Sequence, residues 1–242
     1  MDLPDHDAHL RAVFSLAHAL KEWNERFDSE AREASARKPQ SEHEVDDIIS
    51  IYYDAGFADL ARSHAFICTM AAFLESLFKV CLPAVGQSFN GSLPNNHSRV
   101  VRFAASPASF WDPRKPDKNQ SGIAKHICEI LEASGLSPYF GPAFGLLITA
   151  VFAYRNEMVH NGYEWDLDKR QRFDIRIKSE GWSSWFVIAT KGNDPWFFTI
   201  TPAFHDECLN LCNRAVLAFE GLTIGDWDRY RFCYAAETNI SS

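Results

Sequence analysis

The stretch "LARSHAFICTMAAFLESLFKVCL", residues 60–82, would be apolar on nearly every side of a helix. Because such a helix has no side suited to water, we expect it at the centre of a helical bundle. The helical pattern extends upstream to Glu44, where Ser41 and Glu44 have the spacing of a capping box. Gly56 is the expected break within it. This segment therefore predicts a mainly α-helical fold organised around residues 44–85.

Apolar residues at helical spacing predict further helices at residues 5–37, 121–134, 139–161 and 202–222. After Gly162 the period of the pattern changes to two. "RFDIRIK" alternates, and two more apolar runs flank a Gly-Asn turn. We therefore expect three antiparallel strands within residues 172–200. The predicted fold class is mainly α, a helical bundle with a small three-stranded antiparallel β insertion.

The domain organisation follows from the same patterns. We expect a single domain over residues 1–242. Its predicted parts are an acidic N-terminal helix at 1–40, a helical core at 41–165, the β insertion at 166–201, and a C-terminal helix and tail at 202–242.

Composition narrows the class of protein. A hydrophobic fraction of 46% and a charged fraction of 23% are typical of soluble globular proteins. No apolar run reaches the ~18–20 residues that a membrane span needs, and the acidic start "MDLPDHDAHL" does not have the pattern of a signal peptide. The six cysteines are scattered, which favours reduced, buried thiols. We expect a cytoplasmic protein with no membrane partner.

The formal net charge of −8 is unevenly distributed. Residues 1–60 hold 14 acidic and 6 basic residues, whereas the other 182 hold 18 of each. The excess of acidic residues therefore argues only mildly against a polyanionic partner, since residues 61–242 carry no net charge. Within that remainder, residues 86–120 form a long basic loop rich in Pro, Asn, Ser and Gly. A loop of this length is usually functional or disordered.

The helix predicted at 139–161 closes with "YRNEMVHNG", residues 154–162. Asn156 and His160 are four residues apart and lie on one face, and the long Arg155 side chain can swing over the same turn. Arginine can hold a phosphate and neutralise charge in the transition state. Histidine can move protons near neutral pH, and Asn156 can orient its ring. Phosphodiester cleavage needs this combination.

An alternative interpretation of this helix end stays open. Arg and His in a last turn also stabilise the helix dipole and cap its carbonyls. The bare Arg-x4-His spacing arises easily by chance in a chain with nine histidines. The asparagine directly after Arg155 makes the combination rarer.

Arg155-Asn156-x3-His160, late in an apolar helix, resembles the Arg-x4–6-His motif of HEPN domains. The resemblance covers residues 44–165. It implies a bundle of four or five helices, often dimeric, and a metal-independent endoribonuclease of toxin–antitoxin or antiviral defence systems. Arg155 and His160 would be catalytic, and Asn156 would support them. One HEPN toxin group has a tyrosine two residues after the histidine; Gly162 stands there in this chain, so modification of that tyrosine is not implied.

Further residues could complete such a site. Glu75 could form an ion pair with Arg155 or, alternatively, with Lys79 one turn along its helix. The loop cations are candidate RNA-binding residues, with a solvated, mobile loop as the alternative: Arg99, Arg102, Arg114 and Lys115. The aromatic residues of the β insertion could stack on bases or pack on the bundle. One chain supplies one Arg and one His at this helix end, whereas the reaction needs two proton transfers. We therefore expect a homodimer in which the motifs of the two chains face each other.

No metal or other cofactor is expected. His205, Cys208 and Cys212 have a metal-like spacing, but the first and last lie about 10 Å apart along a helix, too far for one zinc ion. Packing in the core is the alternative for these side chains and for His64 and Cys68. The rival to a ribonuclease is a non-catalytic HEPN-like binding or regulatory module that holds a protein partner, such as a cognate antitoxin.

Overall fold

The computed structural model of the chain describes residues 11–19, 21–22, 29, 33, 36, 41–85, 94–96, 100–101, 122–133, 135–163 and 165–224. The elements are α1 (Glu42–Val85), α2 (Ile123–Ala133), α3 (Ser137–Phe140), α4 (Phe144–Asn161), α5 (Leu167–Ser179), β1 (Phe186–Lys191), β2 (Asp194–Ile200) and α6 (Pro202–Ile224). Residues 11–19 are helical as well, as predicted. The protein is thus mainly helical, with a small antiparallel sheet.

Helix α1 runs without interruption from Glu42 to Val85. Ser41 caps its start, because the Ser41 Oγ accepts a hydrogen bond of 3.3 Å from the Glu44 backbone N–H. The expected break at Gly56 is wrong. A Cβ at this position would lie 2.9 Å from the Phe197 ring, so the glycine allows β2 to pack closely against an unbroken helix.

The chain divides into two compact units, and α1, α4 and α6 each contribute to both. One unit takes in Ala72–Phe152 and the described residues from Asn210 onward. Its core contains four buried phenylalanines with ring centroids 5.0 to 5.8 Å apart: Phe78, Phe140, Phe144 and Phe219. These rings come from α1, α3, α4 and α6, which explains how short α3 is held in place.

The other unit takes in Asp7–Ala71 and Ala153–Leu209, and contains the sheet. β1 and β2 pair antiparallel, with Phe186 opposite Ile200 and Ile188 opposite Phe198. The inward aromatic rings meet α4 and α5 in a buried group that we call the aromatic cluster: Tyr154, Trp165, Phe173, Phe186 and Phe198. The sheet is also joined to α1, since the Ile200 N–H donates to Ser63 Oγ at 3.1 Å.

The sheet of the described residues has two strands, so the predicted three-stranded insertion is wrong. The missing strand, "RFDIRIK", lies inside α5. Its apolar residues alternate, but Phe173 and Ile177 are four apart and both are buried, whereas Ile175 is 63% exposed. An ion pair of 2.6 Å between Lys178 and Asp174 has the same helical spacing. The same alternation of apolar residues is therefore compatible with a helix that buries Phe173 and Ile177 and exposes Ile175.

No helix in the described ranges is both long enough and apolar enough to cross a membrane.

Candidate functional site

Helix α4 ends where the sequence predicts. Gly162 has φ +66°, and its N–H donates to the Met158 carbonyl at 2.9 Å. Such a positive φ suits glycine because other residues meet a steric cost there. The Gly162 carbonyl in turn accepts a hydrogen bond of 2.9 Å from the Trp165 indole N–H. Since Trp165 belongs to the aromatic cluster, the end of α4 is anchored to the core of its unit.

Arg155 is half-buried on this helix end. Its Nη1 donates a hydrogen bond of 3.0 Å to the side-chain oxygen of Asn156. Asn156 therefore contacts Arg155, and its predicted role of orienting His160 stays a prediction. The bond restricts where the guanidinium can lie while leaving its other N–H groups available, because a guanidinium carries five of them.

His160 occupies the last turn of α4 and is exposed. Its imidazole makes no hydrogen bond with any residue that the structure describes. An exposed imidazole with uncommitted ring nitrogens can accept or donate a proton to a ligand.

Helix α1 brings two further side chains to this end of α4. His64 Nδ1 lies 3.4 Å from the Tyr163 hydroxyl, and the two rings meet edge to face with centroids 5.6 Å apart. One turn further along α1, the Cys68 thiol interacts electrostatically with the Arg155 guanidinium. Burial raises the pKa of the Cys68 thiol, and the positive charge of Arg155 opposes that rise. The thiol is therefore mostly protonated at neutral pH.

A third element, α5, supplies a cation. Lys169 Nζ donates to Asn161 Oδ1 at 2.5 Å and lies 3.4 Å from an Asp166 carboxylate oxygen. Asn161 itself donates to the Glu157 carboxylate at 2.8 Å. These bonds connect Glu157 and Asn161 with Lys169 and Asp166. They therefore tie the last turn of α4 to the start of α5.

Sequence reasoning missed His64, Tyr163 and Lys169 as parts of this site. It considered His64 and Cys68 only as a metal pair or as core residues. Their four-residue spacing places them on one face of α1, which is a readable signal. Which helix that face meets is decided by packing and is not visible in the spacing.

The described structure does not test the remaining predicted site residues. Glu75 is half-buried on α1, in the unit that does not contain Arg155, and its predicted ion pair stays a prediction. The loop cations Arg99, Arg102, Arg114 and Lys115 lie outside the described residues.

His205, Cys208 and Cys212 follow one another along α6. Cys208 and Cys212 are fully buried, as their alternative role in the core predicts, and burial raises the pKa of the Cys212 thiol. The His205 ring packs on Phe66 with centroids 4.4 Å apart. No group of three metal-binding side chains is found among the described residues.

A shallow cleft in the other unit offers less chemistry. It is lined by residues of α2, of α3 and of the start of α4, including Cys128, Glu132 and Ser137. Burial raises the pKa of the Cys128 thiol to about 11. The thiol is therefore protonated at neutral pH and a weak nucleophile. The end of α4 is the stronger candidate, since it combines a cation with an exposed imidazole.

Comparison of the chain with models of protein families, with curated proteins and with solved structures finds no match.

Proposed function

We propose that the protein is a metal-independent endoribonuclease of the HEPN type that cuts RNA at the end of α4. The observation that carries this proposal is the Arg155 guanidinium, held at 3.0 Å by Asn156 on the helix end that exposes His160. Both groups belong to one helix, so backbone geometry fixes their separation along its axis. Neither side chain is buried in the core of its unit, which supports a role in binding a ligand.

Arg155 would bind the scissile phosphate and offset the negative charge that grows during the reaction. His160 would remove the proton of a ribose 2′-hydroxyl or supply one to the leaving 5′-oxygen. The 2′-oxygen forms a bond to phosphorus, the bond from phosphorus to the 5′-oxygen breaks, and the proton passes from the first oxygen to the second. The products are a 2′,3′-cyclic phosphate and a 5′-hydroxyl.

Two proton transfers are best served by two imidazoles. A homodimer with facing α4 ends would supply a second His160, as the resemblance implies. Within one chain, His64 beside Tyr163 is a further imidazole in the same compact unit. The biological setting that fits a metal-independent ribonuclease of this type is a toxin–antitoxin or antiphage defence system.

The main experiment is RNA cleavage by purified protein in EDTA, with mixed tRNA and mRNA as substrate. Arg155→Ala and His160→Ala should each reduce cleavage by about 100-fold or more, the usual size of an electrostatic or acid–base contribution. The matched controls are Arg172→Ala, an exposed arginine of α5, and His18→Ala, an exposed histidine; both should cut normally.

Two results would contradict the proposal. One is cleavage that appears only when Mg²⁺ or Mn²⁺ is restored. The other is unchanged cleavage by both α4 variants with wild-type thermal stability, which would leave Arg155 and His160 as helix-end residues.

The dimer has its own test. Light scattering should report about twice the chain mass of 27.5 kDa. Mixing inactive Arg155→Ala chains with inactive His160→Ala chains should restore some cleavage if facing motifs share one site. A fully active monomer would rule out the shared site but leave the roles of both residues intact.

A second candidate function is a binding or regulatory module. It is favoured by the beginning of α1, where acidic and apolar side chains are exposed together. This surface is distinct from the end of α4, so the two functions are compatible.

A further inference from the structure

The side of α1 that meets the end of α4 carries an imidazole in an otherwise uncharged stretch. Residues 63–74 contain no Asp, Glu, Lys or Arg, and His64 is half-buried among them. Over these twelve residues its own helix supplies no charged partner for the ring. The contacts of His64 with other elements therefore decide what this imidazole can do.

Two interactions join this side of α1 to the end of α4. His64 Nδ1 lies 3.4 Å from the Tyr163 hydroxyl, and the two ring planes meet at 87° with centroids 5.6 Å apart. One turn further along α1, the Cys68 thiol interacts electrostatically with the Arg155 guanidinium. Because His64 and Cys68 share one face of α1, this face runs beside the stretch of chain from Arg155 to Tyr163. That stretch contains His160.

The tyrosine contact leaves the other ring nitrogen of His64 available. Nδ1 faces the Tyr163 hydroxyl, which can donate or accept a hydrogen bond, whereas Nε2 makes no hydrogen bond with a residue that the structure describes. A polar group held against one ring nitrogen restricts the orientation of an imidazole. Contacts of this kind are often long before a substrate binds, so a distance of 3.4 Å is compatible with an orienting role.

The reaction under the proposed function needs proton transfers on two sides of the phosphate. The 2′-oxygen that attacks and the 5′-oxygen that leaves lie roughly in line through phosphorus. His160 is offset by about 140° from Arg155 around α4. His64 instead comes from α1, the helix whose Cys68 interacts with the same guanidinium. A phosphate bound by Arg155 can thus meet an imidazole from each of two helices.

We propose that His64 is the second acid–base group of the reaction and that the Tyr163 hydroxyl orients its ring. This inference rests on the proposed function, in which Arg155 binds the scissile phosphate and His160 moves one proton. One imidazole removes the proton of the 2′-hydroxyl as that oxygen bonds to phosphorus. The other gives a proton to the 5′-oxygen as its bond to phosphorus breaks, and exchange with water then restores both rings. A single chain supplies both groups.

The first test measures RNA cleavage in EDTA by the full chain with His64→Ala or His64→Asn. Asparagine keeps a polar atom near the position of Nδ1 but cannot carry a proton at neutral pH, so it separates polar contact from proton transfer. Both variants should reduce kcat by about 100-fold or more, the usual size of an acid–base contribution. The matched control is His43→Ala, at an exposed histidine of the same helix, and it should cut normally.

An RNA with sulfur in place of one leaving 5′-oxygen shows whether the lost step is proton transfer. Thiols are much stronger acids than alcohols, so the sulfur leaves without needing a proton. We expect this substrate to restore cleavage by one of His64→Ala and His160→Ala, whichever lacks the general acid, and to leave the other impaired. Cleavage of the sulfur substrate also shows that the restored variant is folded.

The orienting role of Tyr163 is tested by its dependence on His64. Tyr163→Phe should lower kcat by about threefold to tenfold, the size of one hydrogen bond, with little change in KM. The same substitution should have no further effect in the His64→Ala background, because the hydroxyl acts through that ring. Equal losses in both backgrounds would indicate a structural role for Tyr163 and overturn this part of the proposal.

Three results would overturn the role of His64 while leaving the proposed function in place. One is wild-type cleavage by His64→Ala and His64→Asn when Arg155→Ala and His160→Ala are inactive. Another is restoration of both the His64 and His160 variants, or of neither, by the sulfur substrate. The third is restored cleavage on mixing His64→Ala chains with His160→Ala chains, which would place the two imidazoles on different chains of a dimer. If the wild-type protein does not cut RNA, the proposed function and this inference both fail.

Discussion

The aromatic cluster and the polar end of α4 are adjacent along the chain and differ in how fully their groups are used. Tyr154 is fully buried, and its hydroxyl donates a hydrogen bond of 2.6 Å to the Phe198 carbonyl. The side chain of Arg155, the next residue, makes one hydrogen bond to a described residue, and the exposed imidazole of His160 makes none. A buried polar group must be hydrogen-bonded to avoid a desolvation cost, whereas an exposed polar group is hydrated by water and can bind a ligand. Substitutions in the cluster should therefore change stability, and those at the helix end should change binding and chemistry.

The largest expected effect contrasts two residues of α5. Phe173→Ala should lower the free energy of unfolding by about 3–5 kcal/mol, because it opens a cavity in the aromatic cluster. Ile175→Ala should change it by less than about 1 kcal/mol, since that side chain is 63% exposed. Urea unfolding followed by circular dichroism measures both. Equal losses would show that residues 172–178 do not form part of helix α5.

A smaller loss of stability is expected for Tyr154→Phe. Removing the hydroxyl leaves the buried Phe198 carbonyl without this donor, which should cost about 1–3 kcal/mol of unfolding free energy. Tyr163→Phe is the matched control, because its hydroxyl is exposed and contacts His64 at the longer distance of 3.4 Å. Thermal unfolding of both variants should separate them. A loss from Tyr163→Phe as large as that from Tyr154→Phe would contradict the contrast.

His205, which follows Phe204 at the border of the aromatic cluster, should make stability depend on pH. Burial lowers the pKa of His205 from its ordinary value of 6.5, with the Asp206 carboxylate opposing this shift and Lys21 adding to it. The unfolded chain then binds more protons than the folded one as the pH falls through 6.5, so this group destabilises the fold at acid pH. His205→Phe should reduce the loss of stability between about pH 7.5 and 5.5, by less than about 1 kcal/mol.

Urea unfolding of wild type and His205→Phe at both pH values measures this difference. Trp185→Phe, which changes a ring stacked on Phe204 and removes no ionisable group, serves as the control and should keep the wild-type pH dependence. An identical pH dependence for wild type and His205→Phe would contradict the burial of the ring.

The smallest effect tests the geometry of the helix end without any activity. The charge of Arg155 lowers the pKa of the Cys68 thiol against the rise caused by burial. Arg155→Ala should therefore raise that pKa further, reduce the thiolate fraction and slow alkylation of Cys68 at pH 8 by about twofold to fivefold. Mass spectrometry of iodoacetamide-treated protein measures the rate at this residue. Arg172→Ala should not change it, and faster alkylation of Cys68 in Arg155→Ala would contradict the predicted direction.

Local patterns were sufficient for much of this fold. The capped start of α1, the end of α4 at Asn161-Gly162 and the turn between β1 and β2 were predicted from short-range signals. Arg155, Asn156 and His160 were also found together, because residues on one helix keep a spacing set by backbone geometry. No contact with another element was needed for any of these predictions.

Two errors came from patterns that fit more than one structure. Phe173, Ile175 and Ile177 alternate as in a strand, but a helix can bury the first and last of them and expose the middle one. Gly56 looked like a break, and it instead gives room for the Phe197 ring. In each case the deciding factor was a side chain from a distant part of the chain.

The side chains that contact the end of α4 also come from other helices. His64 reaches Tyr163 from α1, and Lys169 reaches Asn161 from α5. Spacing along the chain determines which residues share a face, and the burial of apolar surface determines which faces meet. For this protein the sequence was therefore enough to identify the residues of the α4 motif, and only tertiary packing determined which side chains surround them.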